Sequence, residues 1–298
     1  MLRLGIPLAL ATGLGACDSN LSEPVDLTAP LEGAGAFRFQ STAVVRPIDV
    51  FYYVPRDVMP STPIVFALHG ANRNARGMRD NWIPKADQFG LVILAPRFDE
   101  ATFPGGSGYI LGNVFDNGNE PGGAAPKPQR EWSFSYLEPL FDEAKRRLSS
   151  TVETYELFGH SGGAQFAHRF IYFVPASRAR RIVAANAGWY TVPDSSVAFP
   201  YGLGGAPVAS TSSLWFGRSL TVLLGDEDTD PGSAGLRHTP EADAQGQHRF
   251  ERGQFFFRRS EEVARDEGQP SSWNLEVTPG VGHDARLMSL RAADLLFR

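Results

Sequence analysis

Short apolar runs alternate with amphipathic stretches along most of this chain, and this alternation restricts the fold more than any other feature. The runs are 64–68 (IVFAL), 91–95 (LVILA), 155–158 (YELF), 182–188 (IVAANAG), 220–225 (LTVLLG) and 273–277 (WNLEV). Continuous apolar runs of this length are typical of strands buried on both faces of a parallel sheet. Pro96 is expected to end the second run. Residues 48–54, which alternate before Pro55, favour an early strand on an antiparallel side.

Helical stripes separate these runs. Residues 136–148 carry apolar side chains at helical spacing, and residues 164–173 and 285–297 show similar patterns. Strands alternating with helices predict a single α/β domain, with a mostly parallel sheet covered by helices on both faces. Two long irregular stretches, 104–129 and 193–217, contain many glycines and prolines together with aromatic residues. We expect them to be ordered loops over the functional face.

The pentapeptide Gly159-His160-Ser161-Gly162-Gly163 fits the pattern G-x-S-x-G between a predicted strand and a predicted helix. A serine on such a sharp strand-to-helix turn is the nucleophile elbow, in which small residues let the strand and the helix approach closely. The same pentapeptide also arises by chance in Gly/Ser-rich turns. The rest of the chain must therefore supply the partners that a serine nucleophile needs.

A serine hydroxyl is a weak nucleophile unless a base lies within hydrogen-bond reach and an acid orients that base. Of the six histidines, only His283 falls in a loop directly after the last predicted strand. His238 and His248 are expected in a surface loop and a helix, and His168 in a structural position. The loop after the strand at 220–225 offers four carboxylates, and these are Asp226, Glu227, Asp228 and Asp230.

From about Ile48 to the C-terminus the chain resembles the α/β-hydrolase superfamily, in which serine, acid and histidine follow one another in chain order. Within it, the short elbow and the sequence His69-Gly70 look most like the branch of polyhydroxybutyrate depolymerases and feruloyl esterases. The resemblance implies the α/β-hydrolase fold. It also selects Asp228, three residues beyond the glycine that ends the strand, with Asp226 as the alternative acid.

The resemblance further implies an oxyanion hole made of two backbone N–H groups. One belongs to Gly162, the residue after the serine, and the other to Ala71 in the His-Gly loop. His69 is then a structural brace of that loop. Asn72 and Arg73 either face the substrate or cap the following helix.

Three aromatic residues are candidates for a substrate subsite. Trp189 and Tyr190 follow the strand after the elbow, and Tyr109 lies in the first long loop. Near the nucleophile they would contact an acyl or aromatic group. The alternative is that these rings are core residues covering the end of the sheet.

The N-terminus carries its own signal. Within residues 1–16, Arg3 lies near the start and is followed by an apolar stretch too short to span a bilayer. This segment ends directly before Cys17, the one cysteine of the chain. This resembles the lipobox of bacterial lipoproteins, which implies lipidation of Cys17 and a membrane tether. An ordinary secretory signal cut near Ala16 and an uncleaved tail are the alternatives. Residues 17–36 are expected to be a tether and 37–298 the catalytic domain.

The net charge of −5 is modest, and no basic patch favours nucleic acid. The sequence has no G-x-G-x-x-G after a strand and no metal-ligand spacing. We therefore expect chemistry without metal or cofactor, on a small-molecule or polymeric ester, with no prediction for the oligomeric state. The hypothesis is an exported serine hydrolase that cleaves carboxylic esters through an acyl-enzyme. A serine peptidase or acyltransferase with the same triad, and a non-catalytic surface binding protein, are the alternatives.

Overall fold

The computed structural model describes residues 30–209 and 211–298, and within them eight strands form one sheet. The predicted leader, Cys17 and the first part of the predicted tether lie outside the described residues. The strands are β1 Gly33–Phe39, β2 Ile48–Val54, β3 Ile64–Leu68, β4 Val92–Arg97, β5 Tyr155–His160, β6 Ala179–Ala185, β7 Ser219–Gly225 and β8 Trp273–Thr278.

The strand order in the sheet is β1-β2-β4-β3-β5-β6-β7-β8. Strands β3 to β8 run parallel, whereas β2 is antiparallel to both β1 and β4. Most connections between the parallel strands contain a long helix, the usual crossover, whereas the connection from β6 to β7 is largely irregular. This is the α/β-hydrolase architecture that the sequence predicted, including the early antiparallel strand at 48–54.

Helices cover both faces of the sheet. They are α1 Ala75–Phe89, α2 Gly105–Gly108, α3 Leu137–Leu148, α4 Gly162–Phe173, α5 Ser213–Phe216, α6 Pro240–Asp243, α7 Arg249–Asp266 and α8 Ala285–Phe297. Two 3₁₀ helices, Gln129–Glu131 and Ser133–Tyr136, precede α3. None of the helices in residues 30–209 and 211–298 is long and apolar enough to cross a membrane.

The side chains of β3 explain why its sequence is continuously apolar. Phe66 and its alternate neighbours pack into a core shared with α3, α4 and α7, while Val65 and Ala67 pack into a core shared with α1 and α8. Successive residues of a strand point to opposite faces. A strand with a core on each side therefore has no position for a polar residue.

Two predicted boundaries differ from the structure. Residues 33–36, assigned to the tether, belong to β1, which pairs with β2 along its whole length. The glycine- and alanine-rich sequence gives little sign of a strand there, because half of its side chains are exposed. Pro96 does not end β4. Pairing with β3 stops at Leu94, so Pro96 has only β2 as a neighbour, and an edge position tolerates proline.

Candidate active site

The turn between β5 and α4 holds Ser161 in a strained conformation. Its φ is +55° and ψ is −114°, a region that residues other than glycine rarely adopt. The backbone is packed so closely around this turn that positions 159 and 163 have no room for a side chain. A Cβ on Gly159 would collide with the carbonyl group of Gly163, and a Cβ on Gly163 would collide with the carbonyl oxygen of Leu68. The predicted elbow is therefore present, with Ser161 raised at the carboxyl end of the sheet.

Two backbone N–H groups lie beside this turn. A Cβ built on Gly162 would lie 2.9 Å from the Ala71 nitrogen, so the two residues approach each other closely. Within the described residues, neither N–H donates a hydrogen bond to the protein. The Gly162 N–H is also one of the free donors at the start of α4. The structure thus brings together the two predicted oxyanion donors.

Asp228 and His283 form a close pair on the adjoining loops. His283 Nδ1 and Asp228 Oδ2 are 2.6 Å apart, a short hydrogen bond in which the carboxylate accepts. The side chain of Asp228 is almost completely buried, whereas that of His283 is partly exposed. Asp226, the alternative acid, instead accepts the Gly280 N–H at 2.7 Å and so stabilises the turn that leads to His283.

Asn186 links the ends of β6 and β7 to the loop that carries His283, and it was not predicted as a site residue. It follows β6 with a φ of +51°, where the sequence suggested that the strand continues to Gly188. Its Oδ1 accepts the Gly225 N–H at 2.8 Å, and its Nδ2 donates to the Gly282 carbonyl at 3.1 Å. These bonds tie the start of the Asp228 loop to the residue before His283. Because asparagine tolerates positive φ, its presence in this apolar run was the sequence signal that the strand ends here.

Ser161 and His283 line one cleft of about 410 Å³. Its walls are mostly small or polar and include Gly70, Ala71, Asn72, Asn74, Asn81, Ala234 and Gly235. Asn72, predicted to face the substrate or to cap α1, lies in this wall. Its Oδ1 accepts the Asn74 N–H at 3.2 Å, and Asn74 is the residue that caps α1.

Two further side chains adjoin the catalytic cleft. Arg249, the first residue of α7, is buried in its wall, with Nη1 2.7 Å from Ser233 Oγ and 3.5 Å from Asp228 Oδ1. The ring centroid of His160 is 4.6 Å from that of His283. Burial, followed by the charges of His283 and Arg249, lowers the pKa of His160 well below its ordinary value. No periodicity in the sequence distinguishes Arg249 from the other arginines of α7.

Tyr109 braces the oxyanion loop and does not reach the cleft. Its side chain is fully buried, and its hydroxyl donates to the His69 carbonyl at 2.8 Å. His69 Nε2 accepts the Phe98 N–H at 3.1 Å, which confirms its structural role. Burial lowers the pKa of His69 to about 3. Arg73 donates to three backbone carbonyls of residues 98–105 and lies over the Tyr109 ring.

Trp189 and Tyr190 are core residues, so the structure does not bring them to the cleft. Both are buried. Tyr190 stacks on Phe256 with ring centroids 4.5 Å apart. The guanidinium groups of Arg169 and Arg237 lie 4.1 Å and 4.7 Å from the Trp189 ring. The prediction of an aromatic subsite from these rings and Tyr109 is wrong, because all three side chains are buried in the core and none lines the cleft.

The other histidines occupy the places that the sequence suggested. His168 is buried on α4, where its Nε2 accepts the Thr191 N–H. His238 lies in an exposed loop and contacts Asp243, and His248 caps the start of α7. Residues 30–209 and 211–298 contain no group of three His, Cys, Asp or Glu side chains that could hold a metal ion.

The fold and the elbow define an α/β-hydrolase of the serine ester hydrolase class. Poly(aspartic acid) hydrolase-1 from Sphingomonas sp. KT-1 is 41% identical, with a TM-score of 0.85 over 90% of this chain and 99% of that chain. LpqC, the poly(3-hydroxybutyrate) depolymerase from Bordetella parapertussis, is 32% identical, with a TM-score of 0.83 over 90% of each chain. The chain belongs to the α/β-hydrolase family that contains these two enzymes.

An S-formylglutathione hydrolase from Agrobacterium tumefaciens is 19% identical with a TM-score of 0.55, and it shares the fold alone. Comparison with protein-family models gives no match, and neither does comparison with curated protein sequences. The family placement therefore rests on these two enzymes, each of which is more than 30% identical to this chain. It confirms the predicted resemblance to polyhydroxybutyrate depolymerases.

Replacing Asn186 with alanine should misplace the Asp228 and His283 loops. The variant loses both side-chain bonds and leaves the Gly225 N–H without its partner, which typically costs about 1–3 kcal/mol in the free energy of unfolding. We expect kcat on a short ester to fall at least about tenfold with a smaller change in KM, since the cleft walls stay intact. Steady-state kinetics and urea unfolding measure the two effects.

Asn274→Ala is the matched control, because Asn274 is exposed on β8 and its side chain makes no hydrogen bond within the described residues. It should retain both kcat and stability. Equal behaviour of the two variants would contradict the role assigned to Asn186.

The buried histidines predict a loss of stability under mild acid. Burial lowers the pKa of His69, His160 and His168 in the folded chain, whereas an unfolded histidine has a pKa of about 6.5. Below about pH 6.5 the unfolded chain therefore binds protons that the native chain does not. The free energy of unfolding should fall by up to about 1.4 kcal/mol per histidine for each pH unit between 6.5 and 5.

Urea unfolding at pH 7, 6 and 5 measures this slope. His168→Gln should remove about a third of it, because one of the three neutral rings is gone. A free energy of unfolding that stays constant from pH 7 to pH 5 contradicts the prediction.

Proposed function

We propose that this chain is an exported serine hydrolase that cleaves carboxylic esters through an acyl-enzyme, with Ser161, His283 and Asp228 as its triad. The observation that carries the proposal is the 2.6 Å bond between His283 Nδ1 and buried Asp228, in loops that adjoin a cleft containing the strained Ser161. Bonded in this way, the imidazole presents Nε2 as its free nitrogen. A base fixed in one tautomer is what a serine nucleophile requires.

In the proposed mechanism Ser161 Oγ attacks the ester carbonyl carbon while His283 Nε2 takes the hydroxyl proton. The carbonyl electrons move to the oxygen, and the N–H groups of Gly162 and Ala71 hold the oxyanion. Collapse of the tetrahedral intermediate expels the alcohol, which receives the proton from His283. Water then repeats these steps on the acyl-enzyme, releasing the acid and restoring Ser161.

Asp228 has two tasks in this scheme. It keeps Nδ1 protonated, and its negative charge stabilises the imidazolium formed in each step. The Arg249 guanidinium lies 3.5 Å from Oδ1, so this buried carboxylate has an opposite charge beside it. The chain's own residues therefore provide nucleophile, base, acid and oxyanion donors. No step of the scheme draws on a metal or cofactor.

Hydrolysis of an amide polymer is the second candidate function. It is favoured by one finding, the 41% identity to poly(aspartic acid) hydrolase-1, because poly(aspartic acid) is linked by amide bonds. The same triad would serve either bond. Poly(aspartic acid) and oligomers of 3-hydroxybutyrate, tested side by side, distinguish the two substrates.

Replacing Ser161 with alanine should lower kcat/KM on 4-nitrophenyl acetate at least about a thousandfold without unfolding the chain. Asp228→Asn should lower it by about 10³- to 10⁴-fold, because an amide can hold the wrong imidazole tautomer. Esterase kinetics, labelling by a fluorophosphonate and thermal unfolding of each variant make the test.

Asp226→Asn is the matched control, since an asparagine oxygen can still accept the Gly280 N–H. It should keep activity within a few-fold of the unmodified chain, as expected for a change that preserves the contact. Full esterase activity in Ser161→Ala rules out the proposed nucleophile. A larger loss in Asp226→Asn than in Asp228→Asn reverses the assignment of the acid.

We further propose that Cys17 is lipidated and tethers the enzyme to a membrane of the cell envelope, with simple secretion as the alternative. The support is the arrangement of residues 1–17, in which a short apolar stretch ends at the one cysteine of the chain. The full-length protein expressed in a bacterium should then incorporate labelled palmitate and partition with membranes. Cys17→Ser should lose both properties. Equal labelling of the two proteins contradicts lipidation at Cys17.

A further inference from the structure

A second cavity, of about 650 Å³, is larger than the catalytic cleft and takes no part in the mechanism above. The two long loops form most of its wall, together with α6 and α7. Its lining is dominated by apolar side chains, among them Phe115, Val192, Phe199, Tyr201 and Phe255. Volumes of about 300–1,000 Å³ with mostly apolar walls are typical of sites for small organic molecules.

The polar groups of two lining residues, Gln245 and Tyr201, are hydrogen-bonded to other parts of the protein. Gln245 is buried there, with Oε1 accepting the Tyr190 N–H and Nε2 donating to the Tyr190 carbonyl, both at 2.8 Å. The Tyr201 hydroxyl is 2.6 Å from Thr239 Oγ1. These polar groups therefore have protein partners, and the space above them is bounded chiefly by carbon.

The cavity lies beside the catalytic cleft. Gly235 lines the cleft, and the Cα of Arg237 is at most about 7.6 Å from that of Gly235. Arg237 Nη1 donates to Asn119 Oδ1 at 2.6 Å, and Asn119 lines the second cavity. Arg237 thus links the wall of the catalytic cleft to the wall of the second cavity.

The charges around the cavity disfavour an anionic occupant. Its one arginine, Arg259, is already paired with Asp194 and Glu262. The carboxylates of Glu120 and Glu241 line the cavity, and neither forms an ion pair or hydrogen bond within residues 30–209 and 211–298. A polymer with a carboxylate on every unit would meet these two acidic residues in a cavity whose own arginine is already paired.

We propose that this cavity is a remote subsite for the apolar chain of a polyester or long-chain ester whose scissile bond lies at Ser161. This rests on the proposed function, which it refines by naming the substrate class. The catalytic cleft supplies few apolar walls of its own, so binding energy for such a chain has to come from elsewhere. Remote binding of this kind raises kcat/KM for long substrates and leaves short ones unaffected.

Two variants test the subsite on the full-length enzyme. Ala124→Trp places a bulky ring on the exposed rim, and Val197→Asp places a charge on the apolar wall. Each should lower kcat/KM on a 3-hydroxybutyrate tetramer by about tenfold or more, through loss of remote binding. Turnover of 4-nitrophenyl acetate, which reaches only the cleft, should stay within about twofold.

The chain offers a matched control for each variant. Ala125 is the exposed neighbour of Ala124 but does not line the cavity, and Val45 is as exposed as Val197 and lies outside it. Ala125→Trp and Val45→Asp should leave turnover of both substrates unchanged. Thermal unfolding of all four variants establishes that each is folded.

The outcomes separate this inference from the proposed function. Selective loss on the tetramer supports the subsite. Equal turnover of the tetramer by the cavity variants and their controls overturns it, as does an equal loss on both substrates. In either case Ser161-dependent hydrolysis of 4-nitrophenyl acetate leaves the proposed function standing. If the unmodified enzyme hydrolyses poly(aspartic acid) but neither ester, the proposed ester hydrolysis and the subsite both fail.

Discussion

Close contact between the backbones of β3, β5 and α4 is the constraint on which the rest of the site depends. Gly159 and Gly163 leave no room for a Cβ, because the Gly163 and Leu68 carbonyl groups occupy that space. This proximity forces Ser161 into positive φ and places Ala71 beside Gly162. The proposed nucleophile and oxyanion donors are thus positioned by one packing arrangement. The strain is about 1–3 kcal/mol, which the buried sheet on either side offsets.

The other two members of the proposed triad depend on hydrogen bonds between loops. Asn186, placed directly after β6, binds the end of β7 and the residue before His283. The Asp226 carboxylate closes the turn at Gly280. The loops of Asp228 and His283 are therefore linked to each other by hydrogen bonds. Rigid placement of this kind lets a triad hold its geometry without spending substrate binding energy on ordering loops.

Sequence alone predicted the parts of this molecule that burial on two faces determines. Ile64–Leu68 is the clearest case, because a strand with a core on each side must be apolar throughout. Prediction was poorer for features that depend on contacts between residues far apart in the sequence. The strand at 33–39 exists through its pairing with β2, and its exposed half carries no apolar signal. Arg249 reaches Asp228 only because α7 packs beside that loop, which no local pattern records.

The burial of Trp189 and Tyr190 explains why the predicted aromatic subsite is not found at the cleft. Trp189 and Tyr190 are buried and packed against arginine and phenylalanine side chains. The cleft at Ser161 has mostly small and polar walls. The two long loops present other apolar residues, Phe115 and Phe199 among them, to the second cavity. In the proposed subsite, apolar recognition is therefore separated from the proposed nucleophile. A chain long enough to span both spaces would gain binding energy that a short ester cannot.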